Sequence, residues 1–255
     1  MHIALDRTAG IITIIASLLV SGVCPRAAAQ EHRPTGGEIS PHRAEAASLD
    51  GARLGVCRLK YGGGGDWYSD PSSLPNMLEE FERRTGVPTA ASERTIEPLD
   101  PALFECPFLY MTGHGNVSLG DGELERIREH LLAGGFLWAD DNYGMDASFR
   151  RTVAQLFPGR ELEPVPFDHP IYHCFYDLDG PPKIHEHDGK PPEGLGIFEG
   201  DRLVLFYTYE SDVGDGLEDP DVHGDPPAQD ALTELLTQRG FPTVRAPAPG
   251  DRIRL

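Results

Sequence analysis

Two aspartates stand side by side, Asp140 and Asp141, where the apolar run "FLWA" ends. A hydrophobic core has no use for adjacent carboxylates, so the pair marks the point where the chain leaves it. Two carboxyls can act as general acid and base when burial separates their pKa values. Neighbours on an extended chain point to opposite sides, however. One is expected to face a pocket and the other to brace a loop. His114 in "TGHG" and His169 in "FDHPIYHCFYDL" join them as candidates for acid–base or metal-assisted hydrolysis. His169 and His173 would share a helical face, but Pro170 opposes helix there. On an extended segment they would lie about 13 Å apart, too far to chelate one ion. "KIHEHDGK" reads as exposed loop histidines, and "SDVGDGLEDPDVHGD" lacks the spacing of a calcium loop. No metal site and no cofactor is predicted.

Nucleophiles are absent from the places where chemistry would need them. The sequence contains no G-x-S-x-G elbow. Cys57 falls in a strand, Cys106 precedes Pro107, and Cys174 lies among aromatic and histidine residues. None sits at a strand-to-helix turn that would expose and activate a thiolate. Four glycines, Gly62 to Gly65, precede Asp66, Trp67 and Tyr68. Bare backbone N–H groups can cradle a phosphate, but the loop fits neither nucleotide-binding spacing, and acidic Asp66 and Asp70 disfavour an anion. The alternative is a turn that folds Trp67 and Tyr68 over a ligand.

The elements that must position these groups alternate between apolar runs and helical patterns, the rhythm of a parallel sheet wrapped by helices. Strands are predicted near 53–60, 108–111 and 136–139, with a weak, proline-limited edge strand in "ELEPVPF" and a strong one in "RLVLFYTYE". Helices are predicted near 74–85, 119–133, 146–157 and 228–239. In the second of these, Leu124, Ile127 and Leu131 fall on one face, Ser118 or Asp121 can cap the start, and Gly134 ends it. Ligands in open parallel sheets lie beyond the carboxyl ends of the strands. That edge gathers Gly64, Gly65, Asp66, Trp67 and Tyr68, then His114, then Asp141 and Asn142, then Asp212. These are the predicted ligand-binding residues.

Arg7, an apolar run over 9–20 and Ala27-Ala28-Ala29 have the layout of a cleaved signal peptide over 1–29. The run is shorter than the ~20 residues of a spanning helix, so no stable membrane insertion is expected after cleavage. Residues 30–50 are polar and lack apolar period, a flexible leader before a single α/β domain over 51–255. Loss of Arg7, Arg26 and Asp6 takes the net charge from −19 to −20. Such a surface repels nucleic acid and anionic lipid. Cys57, Cys106 and Cys174 form no disulfide scaffold, and an odd number leaves one thiol over unless two chains join.

The segments "RLKYGGGGDWYSDPSSLPNMLEEFERRTG", "PFLYMTGHGNVSL", "LLAGGFLWADDNYG" and "DHPIYHCFYDL" together resemble the bacterial family called domain of unknown function 4159. The resemblance covers nearly all of residues 51 to 215. It implies a likeness to class I glutamine amidotransferase-like and trehalose-utilisation-type domains: a flavodoxin-like, three-layer sandwich with a mostly parallel sheet. In catalytic amidotransferases a cysteine occupies the sharp turn after a central strand. Here the matching turn is "ADDNYG", with Asp140 or Asp141 in the thiol's place. The resemblance therefore implies a fold and a site without glutaminase chemistry.

The expectation is a secreted or periplasmic binding protein rather than an enzyme. Its partner would be a polar small molecule or cell-envelope component, a carbohydrate among the options. The alternatives are a carboxylate- and histidine-dependent hydrolase and an envelope interaction module.

Overall fold

The computed structural model describes residues 53–219 and 222, apart from 176 and 186. The expected signal peptide, the leader and the helix at 228–239 lie outside the described residues. Among the described residues, seven strands form one sheet: β1 Cys57–Leu59, β2 Arg94–Ile96, β3 Phe108–Met111, β4 Phe136–Asp140, β5 Glu163–Pro164, β6 Glu193–Glu199 and β7 Arg202–Tyr209. Their spatial order is β2-β1-β3-β4-β7-β6-β5. The first five in that order run parallel, and β6 and β5 close the sheet antiparallel. From β1 the chain goes outward to β2, then returns to the other side of β1 as β3. That reversal opens a crevice at the carboxyl ends of the strands.

Alternate residues of the parallel strands feed two separate cores, because successive side chains leave a strand on opposite faces. Phe108, Tyr110, Phe136, Trp138 and Phe206 join one core. Leu109, Met111, Leu137, Ala139 and Tyr207 join the other. The first is covered by helix α1, Ser73–Thr85, whose Leu74, Met77, Leu78 and Phe81 recur at helical spacing. Gly86 ends α1 in the left-handed conformation (φ 73°), and its N–H returns to the Glu82 carbonyl at 2.8 Å. The opposite core is covered by α2, Asp121–Leu132, and α3, Asp146–Leu156. Leu124, Ile127 and Leu131 of α2 are buried there, as their spacing predicts. The start of α2 is fixed differently from either predicted cap: Glu123 Oε2 accepts the Gly120 N–H at 2.7 Å. A short helix, α4, Val213–Leu217, packs beside α1.

Two strands carried too little pattern to be read. β2 has three residues, two of them exposed. β6, "EGLGIFE", holds two glycines that lower strand propensity. Both are packing requirements. A Cβ on Gly196 would meet Leu203 Cδ1 at 2.4 Å, and one on Gly194 would collide with the Tyr172 hydroxyl and Phe206 ring. A disulfide joins Cys57 in β1 to Cys106 just before β3, and Cys174 is exposed elsewhere. No described helix is long and apolar enough to cross a membrane.

Candidate functional site

The carboxyl edge of the sheet is organised by the twin aspartates, and both serve the same partner segment. Asp140 is fully buried. It accepts hydrogen bonds from the Thr208 hydroxyl, from Val213 N at 3.2 Å and from Gly214 N at 2.6 Å. Asp141 accepts from Glu210 N at 3.3 Å. The two carboxyls thus grip the stretch after β7 from either side, beneath the crevice rather than on its wall. Burial pushes both carboxyls above the usual carboxylate range; at Asp140 the nearby Asp212 adds to the effect and the three donors oppose it.

Asn142, also fully buried, is a bridge. Its Oδ1 accepts from the Thr112 hydroxyl at 2.7 Å, and its Nδ2 donates to Asp70 Oδ2 at 2.7 Å. The turn carrying Asp70 is held from below by buried Arg58, which donates to the Ser69 and Asp70 carbonyls at 2.7 and 3.1 Å. Above this floor lies a cleft of about 410 Å³ lined by Asp70, His114, Tyr143, His185, His187, Asp212 and Asp215. The histidines at 185 and 187 arrive on a loop tied to the segment after β7. Ile184 N donates to the Ser211 carbonyl at 3.0 Å, the Ser211 hydroxyl donates to the Pro182 carbonyl, and Lys183 pairs with Glu210 at 2.9 Å. His187 Nε2 lies 2.8 Å from Asp212 Oδ2, and His185 Nδ1 lies 2.8 Å from Asp215 Oδ2.

Two kinds of unusual local structure meet here. Among the described residues, the non-glycine positions with positive φ are Asp70, Tyr143, Glu210 and Asp212. Three of these line the cleft, and Glu210 pairs with Lys183 of the loop that carries His185 and His187. Such conformations cost about 1–3 kcal/mol each and persist where surrounding structure overrides them. Of the six buried side-chain polar atoms without a hydrogen-bond partner among the described residues, His187 Nδ1 and Asp212 Oδ1 belong to side chains that line the cleft. Buried polar atoms are normally satisfied, so an unsatisfied carboxylate oxygen on a cleft-lining side chain calls for a partner.

The sequence-predicted residues divide by position. His114 and Asp212 line the cleft. Asp66 stands one layer back: its carboxylate accepts the His114 N–H and lies 3.1 Å from His114 Nδ1. Gly64 and Gly65 belong to a loop pressed against the chain after β3, with Gly65 N donating to Asn116 O at 3.0 Å. A Cβ on Gly65 would meet the Asn116 and His114 carbonyls within 3 Å, so close loop packing accounts for this glycine. Trp67 leans on the core beside Lys60, while Tyr68 is exposed next to it. His169 is far from the rest. Its ring stands edge-on to Phe198, which pairs with Leu203 at the start of β7, the opposite edge of the sheet.

Asp70, Tyr143, His185, His187 and Asp215 complete the lining without having been predicted as ligand residues. One signal was present in "HEH": two histidines at a spacing of two share a face of an extended segment.

Asp70 gives the cleft a pH signature. Burial, reinforced by Asp212, Asp215 and Glu218 against the Asn142 hydrogen bond, pushes its carboxyl up to about 7. An aspartate whose pKa rises on folding keeps its proton longer in the folded chain. Its stabilising contribution is fully present below its unfolded value of 3.8 and is lost as the pH climbs towards about 7. The His187 imidazole, raised by its hydrogen bond to Asp212, adds a loss in the same direction as pH rises past its ordinary value. In chelator-treated protein, the stability difference between wild type and Asp70→Asn should change by on the order of 2 kcal/mol between pH 5 and pH 7. Urea unfolding at stepped pH measures it, and parallel curves for the two proteins would refute the assignment.

No curated protein matches this chain. A family model matches residues 55–235, and the chain belongs to the family it describes, Domain of unknown function (DUF4159).

Proposed function

We propose that this chain is an exported, single-domain binding protein whose cleft holds a polar small molecule of cell-envelope origin. The observation that carries the reading is the coincidence of left-handed Asp70, Tyr143 and Asp212 with partnerless buried polar atoms in one crevice. A fold holds such costly features together when a ligand uses them. Exposed Tyr143 offers an aromatic face, and Asp70, Asp212 and His114 offer hydrogen bonds around it. An aromatic ring beside carboxylates suits a hydroxyl-rich molecule such as a sugar.

The strand order supports a flavodoxin-like relationship, with β6 and β5 added antiparallel to one side. A class I amidotransferase-like ancestry fits the sharp turn after β4, where Asp140 and Asp141 stand in the nucleophile's place. Cys57 and Cys106 are bridged, which leaves neither as a thiol and supports glutaminase chemistry being absent. The same bridge favours an oxidising compartment, secreted or periplasmic. Native mass spectrometry of the protein recovered from its host's envelope should find a retained polar molecule. Tyr143→Ala, a change at an exposed side chain, should weaken that ligand's binding about tenfold with the fold intact. A cleft that is consistently empty, or full affinity in Tyr143→Ala, would remove the reading.

A further inference from the structure

The two histidines of the cleft differ from ordinary loop histidines in what faces them. His185 Nδ1 lies 3.5 Å from Asp212 Oδ2, and His187 Nε2 approaches that same oxygen to 2.8 Å. One potential ligand atom from each of His185, His187 and Asp212 falls within 4.8 Å of the others. Asp70, Asp212 and Asp215 satisfy the same condition, so Asp212 belongs to both groups. We propose that the cleft binds a divalent transition-metal ion of the zinc class through His185, His187 and Asp212, with Asp215 placed as the fourth ligand. The proposal rests on the cleft being a binding site and names one occupant of it.

Donor chemistry fits. Imidazole nitrogen with carboxylate oxygen is a zinc-type set, with bonds of about 2.0–2.2 Å. Tetrahedral ligand atoms at such lengths stand about 3.3 Å apart. The His185–Asp212 contact is already near that spacing, and the His187–Asp212 contact needs to open by about half an ångström. His185 Nδ1 also touches Asp215 Oδ2, so an ion drawing that nitrogen away finds a second carboxylate at hand.

An independent observation separates this from an ordinary acidic cluster. Asp212 is 1% exposed and lines the cleft, yet its Oδ1 has no hydrogen-bond partner. The His187 side chain is 7% exposed, and its Nδ1 likewise lacks one. Nearby cationic side chains are already used: Lys183 pairs with Glu210, and Arg58 with Glu93 and the backbone below Asp70. The ligand-bearing backbone is also fixed beside each donor. Ile184, next to His185, is bonded to Ser211, next to Asp212. Val213, on the other side of Asp212, is bonded to Asp140. Anchoring of this kind holds a metal site in shape before the ion arrives.

The test uses the whole chain, purified without a polyhistidine tag from an oxidising compartment and stripped with chelator. Zinc alone is then titrated by calorimetry, and bound metal is counted by elemental analysis after gel filtration. One zinc per chain is expected. Asp212→Asn, which suits the left-handed backbone, and His185→Ala should each weaken binding about 100-fold. His185 is exposed, so His185→Ala should unfold at the wild-type urea midpoint, and its loss of zinc then reports ligation rather than misfolding. His173→Ala, at an exposed histidine outside the cleft, should bind as wild type does. Substoichiometric zinc, or full binding by His185→Ala, overturns the site. An organic molecule retained by protein that takes up no zinc would remove the metal and leave the ligand reading standing; stoichiometric zinc with no organic ligand would do the reverse.

Discussion

Replacing Asp140 by alanine is expected to cost about 4 kcal/mol of folding stability, one of the two largest effects predicted for this chain. The carboxyl accepts from the Thr208 hydroxyl and from the backbone N–H groups of Val213 and Gly214. Removing the acceptor strands the buried Val213 and Gly214 N–H groups at about 1–3 kcal/mol each, while the Thr208 hydroxyl still has the Ala139 carbonyl at 3.3 Å. Some of the loss is offset, because burial and Asp212 both oppose charge on Asp140. Asp140→Asn keeps one acceptor oxygen but turns an amide N–H towards the remaining donors, and should cost about half as much. Urea unfolding followed by far-UV circular dichroism measures both. A cost below about 1 kcal/mol for Asp140→Ala would mean that the stretch after β7 is held by something else.

The second large effect comes from the bridge between Cys57 and Cys106. The two are 49 residues apart in sequence, and closing a loop of that length in the unfolded chain is worth about 4 kcal/mol by loop entropy. The loop contains α1 and β2, so the bridge constrains the β1–β3 reversal that opens the crevice. A Cys57→Ala, Cys106→Ala double variant should therefore unfold at a markedly lower urea concentration. Cys174→Ala should not, since that residue lies outside the bridge. An unchanged midpoint in the double variant would show that the bridge adds nothing in solution.

The fold was legible where periodicity was strong. Leu124, Ile127 and Leu131 announce α2, and the unbroken apolar run of β4 announces a strand covered on both faces. Strand ends pointed to the carboxyl edge of the sheet, where His114 and Asp212 line the cleft. Much of the remaining lining was not legible, because it depends on distant backbone. His185 and His187 reach the cleft because Ser211, some 27 residues on, holds their loop. Asp70 is turned inward by a left-handed backbone and by Asn142, 72 residues away. The twin aspartates were noticed for a sound reason, and both carboxyls accept hydrogen bonds from the one stretch after β7. Alternation along an ideal strand cannot foresee a loop folding back over its end.

The left-handed backbone at Tyr143 and Glu210 carries a consequence for the evolution of this molecule. Neither side chain has the local hydrogen-bonding excuse that lets asparagine or aspartate adopt that geometry. Selection for heat resistance alone would reach these two codons early, trading each for glycine or asparagine. Backbone cost thus gathers at and next to the cleft, and a thermally hardened descendant would change there first.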